Sequence, residues 1–290
     1  MRKLGRRHAQ FKAFIATPAY DGRVYTDYCL SLADTIALSK DADKIVINGN
    51  RICEHPILTH VGIMGNGAFI EIARNTFVSM FLESDCTHLF FIDADLKWEP
   101  RAFVGLVAAN KPIACGMYRR RQEPENYPAA LAEEPETKGI WMVDGGFVLA
   151  KRVPTGFLCI RRDVIEEMVR DCEKGNFGLH MMKQTMDEKH PELPWLFHTK
   201  FDEEGRMIGE DFAFCDAYVQ KYNEFIPIWA DFDFVHGGFK CNFFNYLNGI
   251  AEGALQKVNR EMHGNSGVMV IKESDHEMEP KLTVIEGGKA

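Results

Sequence analysis

Leu89-Phe90-Phe91-Ile92-Asp93-Ala94-Asp95-Leu96-Lys97-Trp98-Glu99-Pro100 is the stretch that decides the fold. Four large apolar residues in a row describe a strand covered on both faces, as at the centre of a parallel sheet, and Pro100 suits the first turn of a new helix. The two aspartates therefore stand at a strand's carboxyl end, where open α/β sheets bind their ligands. In extended backbone, side chains two residues apart point the same way, so Asp93 and Asp95 are expected to aim at one point. Paired carboxylates there suit Mg²⁺ or Mn²⁺, and such a cation would hold a diphosphate. The competing use of such a pair is to cap the next helix or to solvate a turn.

Outward from this stretch the chain alternates strand and helix. Lys12–Thr17 reads as a strand that stops at Pro18-Ala19-Tyr20-Asp21-Gly22, and Thr26–Leu38 repeats apolar residues at helical spacing. Ile45–Ile47 reads as a second strand, Phe69–Leu82 as an amphipathic helix, and Lys111–Gly116 as a further strand, which together imply a doubly wound sheet. Gly62, Gly65 and Gly67 lack the spacing and the preceding strand of a phosphate loop and read as a turn before a helix.

The second half changes character. Gly139–Lys151 and Pro154–Arg161 read as two strands joined by little more than a turn, an antiparallel or mixed extension, followed by a helix over Asp163–Cys172. Glu173–Met207 is polar and aperiodic, as expected of a lid or acceptor-binding segment. Glu210–Tyr222 is helical, Phe225–Trp229 and Asp233–Val235 are short strands, and Cys241–Met262 is an amphipathic helix.

Composition sets the outer limits. A chain of 290 residues with 46% hydrophobic and 26% charged content is long enough for one large α/β domain. No apolar run approaches the ~20 residues of a membrane span, and no apolar region follows the basic N-terminus, so a cytoplasmic chain is expected. The eight cysteines form no C-x-x-C pair and fall mostly in apolar patterns, which favours reduced, buried thiols over disulfides or a zinc site. A net charge of −8 argues against a nonspecific nucleic-acid binder. Two basic clusters qualify this: an arm of Arg2, Lys3, Arg6 and Arg7, and the run Arg119-Arg120-Arg121 after a predicted strand.

At this point the chain resembles the nucleotide-sugar-dependent glycosyltransferases of GT-A fold, of the family 2-like and Anp1-like groups found in bacteria and phages. The resemblance rests on pieces in order: Ala16-Thr17-Pro18-Ala19-Tyr20, Ile72-Ala73-Arg74-Asn75, Phe91-Ile92-Asp93-Ala94-Asp95, the segment Pro154–Arg162, Gly209-Glu210-Asp211-Phe212 and Val235-His236-Gly237-Gly238. It implies a Rossmann-like, mostly parallel central sheet with helices on both faces and a small mixed or antiparallel extension. One catalytic domain is expected over residues 1–263, with a donor-binding half about 10–116, an acceptor half about 117–240, a C-terminal helix about 241–262 and a loose tail over 264–290.

The resemblance also implies roles. Asp93 and Asp95 become ligands of a metal and of the donor diphosphate, with Asp93 also close to the donor ribose. His236 becomes the third protein ligand, and its nitrogen beside carboxylate oxygens leans toward Mn²⁺ over Mg²⁺. Thr17, Pro18 and Tyr20 line the nucleotide base pocket, Arg74 and Asn75 project toward base or diphosphate, Gly156 lets the backbone approach the sugar, and Lys240 reaches a phosphate. Glu210 and Asp211 lie on the acceptor side, with Asp211 the base if the enzyme inverts; if it retains, the pair positions the acceptor. The absence of Gln-x-x-Arg-Trp argues against polymer synthesis. The donor expected is a UDP- or GDP-sugar, and the acceptor a hydroxyl of a glycan, small molecule, protein or modified DNA base.

Two other classes compete. A nucleotidyltransferase shares a similar sheet and metal site but wants a Gly-rich basic loop after the first strand, where this chain has only Gly22 and Arg23. A noncatalytic nucleotide-sugar-binding module would not need Glu210, Asp211 and His236.

Overall fold

Phe90 and Phe91, adjacent in the central strand, turn to opposite faces of the sheet, and each recruits its own layer. The computed structural model describes residues 11–40, 45–47, 50–51, 56–65, 69–137, 139–143, 146–183, 189, 191–251 and 282–284. In chain order its elements begin with β1 (Ala13–Ala19), α1 (Thr26–Lys40), β2 (Ile45–Ile47), β3 (Asn50–Arg51), β4 (Leu58–Gly65), α2 (Ile70–Glu83), β5 (His88–Ile92), β6 (Leu96–Trp98), α3 (Pro100–Ala109) and β7 (Ile113–Gly116). The second half adds β8 (Ala130–Leu131), β9 (Met142–Val143), β10 (Phe147–Arg152), β11 (Phe157–Arg161), α4 (Arg162–Lys174), β12 (His180–Lys183), β13 (Glu192–Trp195), β14 (Lys200–Phe201) and β15 (Met207–Ile208). After these come α5 (Glu210–Tyr222), β16 (Ile226–Trp229), β17 (Asp233–His236), β18 (Phe239–Asn242) and β19 (Leu282–Val284).

On one face Phe90 packs against Phe103 of α3 and Phe157 of β11, both at 4.8 Å between ring centres, and Phe157 continues to Phe234 at 4.9 Å. On the other, Phe91 meets Phe197 at 5.1 Å and lies under the Arg74 guanidinium of α2. Helices therefore cover both faces, as expected. Each fully buried phenylalanine contributes roughly 1.5–3 kcal/mol by area removed from water, so this aromatic spine is a large part of what holds the layers together.

The main sheet has nine strands in the order β4-β1-β5-β11-β7-β16-β10-β8, with β9 beside β10. Parallel pairs join β1 to β4, β1 to β5 and β7 to β16; β11 runs antiparallel between β5 and β7, and β10 is antiparallel to β16, β8 and β9. The sheet is thus mixed, and the two strands read as a near-hairpin do not pair. The segment 157–161 enters the centre because every residue of Phe157–Cys159 is apolar and buried, while β10 lies beyond β7 and β16.

Other expectations also change. Ile45–Ile47 is a strand but belongs to a separate sheet with β3 and β19, so the chain's end is not wholly a loose tail. Its place beside β1 is taken by β4, which contains Gly62 and Gly65, residues read as a turn. A Cβ on Gly62 would sit 2.7 Å from the Phe77 ring of α2 and one on Gly65 would sit 2.6 Å from Gly22 Cα, so the first glycine serves close packing of strand on helix and the second close packing on the turn after β1. Helix α1 forms where expected, yet its buried face is Tyr28, Ser31, Thr35 and Ser39, and Leu30 is exposed. The hydroxyls serve the partner side chain: Trp98 donates its backbone N–H to Ser31 and its indole N–H to Thr35.

The polar stretch Glu173–Met207 is not structureless. It forms two hairpins, β12–β13 and β14–β15, with Leu196 and Phe197 fully buried between them. Asn75 pins that point: its Oδ1 accepts the N–H groups of Leu196 and Phe197 at 2.9 and 3.0 Å, and its Nδ2 donates to the carbonyls of Phe197 and Glu71. The helix expected over Cys241–Met262 is seen over 243–251, its first two residues belonging to β18, and 252–262 lies outside the described residues, as does the basic N-terminal arm. No helix among the described residues is long and apolar enough to cross a membrane. The seven cysteines described are free, and all but Cys29 are buried.

Asn75→Ala leaves several buried backbone groups without partners and is expected to cost about 3 kcal/mol. Urea denaturation checks this, and a loss well under 1 kcal/mol would show that the Leu196–Phe197 anchor is dispensable.

Candidate active site at the carboxyl edge of the sheet

β1, β5 and β7 end on the same side of the sheet, and the antiparallel β11 begins there, so the residues just past β5 and β7 and just before β11 converge. The Asp93 N–H donates to the Gly156 carbonyl at 3.0 Å. Tyr118, two residues past β7, accepts the Gly156 N–H at 3.0 Å and donates its hydroxyl to Asp93 Oδ2 at 3.1 Å. A Cβ at position 156 would lie 2.0 Å from the Tyr118 hydroxyl and 2.1 Å from Asp93 Oδ2. Gly156 therefore admits Asp93 and Tyr118, the physical reason for a glycine here. Tyr118 was not singled out in the sequence; its position just beyond a strand's carboxyl end, the rule applied to Asp93, is the signal that marks it.

Asp93 and Asp95 do not share one direction. The chain turns as soon as β5 ends, with the Leu96 N–H donating to the Asp93 carbonyl at 3.2 Å, so the two-residue alternation of a strand no longer applies. Asp93 faces Tyr118 and Arg74, whose Nη2 is 3.5 Å from Asp93 Oδ1. Asp95 faces His236 and Arg121: its Oδ2 lies 3.4 Å from His236 Nε2 and 2.7 Å from Arg121 Nη1.

His236 arrives through a small sheet, β18-β17-β6, in which it stands opposite Leu96, the residue after Asp95. The same contact is locked by the Gly237 N–H donating to the Asp95 carbonyl. His236 Nδ1–H donates to the Arg119 carbonyl at 2.7 Å, which turns Nε2 toward Asp95. Burial lowers the His236 pKa, but the Asp95 hydrogen bond and charge outweigh it and the net shift is upward. For Asp95 burial raises the pKa, and His236 and Arg121 together bring the net shift down.

Asp95 and His236 are thus close enough to ligate one divalent cation, with oxygen and imidazole donors that suit Mn²⁺. Asp93 does not complete a three-ligand cluster. Among the described residues the one set of three whose ligand atoms all lie within 4.8 Å is His60, Asp85 and Cys86, where the Lys12 ammonium already pairs with Asp85.

Arg74 connects the two acidic groups. Its side chain is almost wholly buried on α2, between Asp93 and Glu210, whose Oε1 lies 3.3 Å from Nε. That contact is off the N–H direction, and neither Nε nor Nη1 makes a hydrogen bond among the described residues. The guanidinium is thus a buried cation shared by two carboxylates, with two of its nitrogens left unsatisfied inside the protein. The neighbour Asp211, at the first turn of α5, has its pKa raised to about 6 by burial and by Glu210, against smaller opposing effects of the Phe212 N–H and Arg74. The helix N-terminus does not keep this acid in the ordinary carboxylate range, because desolvation and a like charge outweigh it.

The remaining candidates are placed variously. Thr17 is fully buried and its hydroxyl is 2.6 Å from that of Tyr28, so it shapes the end of β1 from inside. Pro18 is half-buried, and Tyr20 is 79% exposed, its ring open to a stacking partner. Asn75 is spent on the Leu196–Phe197 backbone. Lys240 is exposed and stands opposite Val235 in the β17–β18 ladder, on the face away from His236. It lines a separate groove of about 850 Å³ with Lys97, Glu99 and Tyr246.

No family model matches the sequence, and no curated protein matches it. Among solved structures, the chain is similar to the crystal structure of A197 from STIV, with 15% identity and a TM-score of 0.41, covering 78% of this chain and 85% of that one.

Proposed function

We propose that this chain is a glycosyltransferase of GT-A type that moves a sugar from a nucleoside diphosphate donor to a hydroxyl acceptor. The observation that carries the reading is the charge layout: Asp95 with His236 at one end, Asp211 with a pKa near 6 at the other, and a buried Arg74 between. Sugar transfer needs these two ends. One steadies the leaving diphosphate and the other takes a proton. A divalent cation, Mn²⁺ or Mg²⁺, held by Asp95 and His236 would neutralise charge developing on the diphosphate.

The chain's own residues do the rest. Arg74, buried between Asp93 and Glu210, holds the two carboxylates in place, and Tyr20 stacks on the donor's base. Asp93, held by Tyr118 and Gly156, stands fixed beside the cleft, suited to the donor's ribose hydroxyls. As the acceptor oxygen bonds to the anomeric carbon, the bond from that carbon to the phosphate oxygen breaks and the electron pair leaves with the diphosphate. The acceptor proton passes to Asp211, whose Oδ1 already accepts the Phe212 N–H at 2.7 Å and is thereby oriented. A base with a pKa near 6 is ionised at neutral pH yet basic enough to share a proton in the transition state. This mechanism inverts the anomeric carbon. The acceptor is selected from the β14–β15 side, where Phe201 and Met207, cross-strand partners and both 71% exposed, lead into Gly209 and α5.

Incubated with Mn²⁺ and a panel of UDP- and GDP-sugars, the protein is expected to bind or slowly hydrolyse at least one donor, with inverted configuration in the product. No metal-dependent response to any donor overturns the reading. Asp95→Ala should abolish that response, whereas Asp211→Asn should keep donor binding and lose transfer.

The raised Asp211 pKa makes a separate stability prediction. Ionising this group costs more in the fold than in the unfolded chain, so the cost is absent below about pH 4 and complete above about pH 6. Asp211→Asn is therefore expected to stabilise the protein by about 1–2 kcal/mol at pH 7.5 and by little at pH 4, read by urea denaturation. An equal effect at both pH values would place the cause in packing and not in charge.

A further inference from the structure

Of the three consecutive arginines after β7, only one enters the site. Arg119 is buried, donates to the Gln122 carbonyl at 2.6 Å, pairs with Glu123 and lies over the Phe239 ring. Arg120 is exposed and its backbone N–H bonds the Asn126 carbonyl. Arg121 instead reaches back to Asp95, Nη1 to Oδ2, at 2.7 Å. It meets the same oxygen that faces His236 Nε2. Its stem crosses Gly237, where a Cβ would lie 2.4 Å from Arg121 Cδ and where φ is +55°. The glycine thus provides the track for this side chain, and its N–H holds the Asp95 backbone at the other end of the same contact.

Two properties of the pair matter. Asp95 is largely buried, with 15% of its side chain exposed, whereas Arg121 is 53% exposed, so the carboxylate is fixed and the guanidinium can change partners. And a single carboxylate oxygen paired with a guanidinium cannot also accept a divalent cation at full strength, because the two positive charges repel. Guanidinium binds phosphate oxygens in bidentate fashion at least as well as it binds a lone carboxylate oxygen.

Resting on the glycosyl-transfer reading above, we propose that Arg121 is a resident counter-cation of the site: it occupies Asp95 before substrate arrives and transfers to the donor's diphosphate when cation and donor bind. Arg121 then couples the two ligands. It weakens cation binding to the empty site and strengthens binding of the nucleoside diphosphate, so that a cation is taken up together with its donor.

The test is titration calorimetry on the full chain, comparing wild type with Arg121→Gln and Arg121→Lys. The probes are Mn²⁺ alone, then UDP and GDP in the presence of Mn²⁺. With Arg121→Gln, Mn²⁺ alone is expected to bind about threefold tighter, the scale of a partly exposed ion pair. The favoured nucleoside diphosphate is expected to bind about tenfold weaker, the scale of a lost charged hydrogen bond. Arg121→Lys should fall between for the nucleotide, since it keeps the charge and loses the fork. A purely structural arginine would move both affinities in one direction or neither. If wild type binds the cation and a nucleotide, and Arg121→Gln lacks the opposite-signed changes, the Arg121 proposal falls and the glycosyl-transfer reading stands. If wild type binds neither Mn²⁺ nor UDP nor GDP, both fall.

Discussion

The contact on which the site depends is the absence of a side chain at Gly156. The backbone there passes so close to the Asp93 carboxylate and the Tyr118 hydroxyl that any Cβ would overlap both. Three separate pieces of the sheet meet at that point: the end of β5, the end of β7 and the start of β11. Because β11 runs against its neighbours, its amino end and their carboxyl ends lie together, which an all-parallel sheet would not allow. The mixed topology and the geometry around Asp93 are one fact.

Electrostatics divides the acids of the site. Of the carboxylates Asp93, Asp95, Glu210 and Asp211, three are paired with Arg74 or Arg121. Asp93 and Glu210 share Arg74, Asp95 takes Arg121 and His236, and Asp211 is left with desolvation and a like-charged neighbour. That remainder is why Asp211 holds its proton more tightly than an ordinary carboxylate. Distribution of cations among acids, more than any one residue's identity, sets Asp211 apart from Asp95.

Packing ties these charges to the core. Arg74 and Asn75 are consecutive on α2; the first lies between Asp93 and Glu210, and the second clamps Leu196 and Phe197. Phe197 in turn stacks at 4.4 Å on Phe214, one helical turn beyond Glu210. One helix therefore positions Asp93 and Glu210 relative to each other, through rings that cannot shift without opening the core.

Much was legible in the chain itself. The apolar run Leu89–Ile92 identified the central strand, 210–222 identified α5 to the residue, and the strand-end rule marked Asp93, Asp95 and the Thr17–Tyr20 segment, in which β1 runs on to Ala19, two residues past the expected end. Periodicity and strand-end position are local properties, and local properties can be read from order alone. What only the tertiary structure decided depends on partners distant in sequence. The strand at 157–161 lies between β5 and β7, not beside 147–152. Asn75 bonds to backbone 121 and 122 residues away. A tight turn separates Asp93 from Asp95, and Lys240 lies on the face away from His236. Tyr118 and Arg121 gained their places in the same way. A residue's type tells what it can bind, but which neighbour satisfies it is settled when the chain closes and every buried polar group must find a partner.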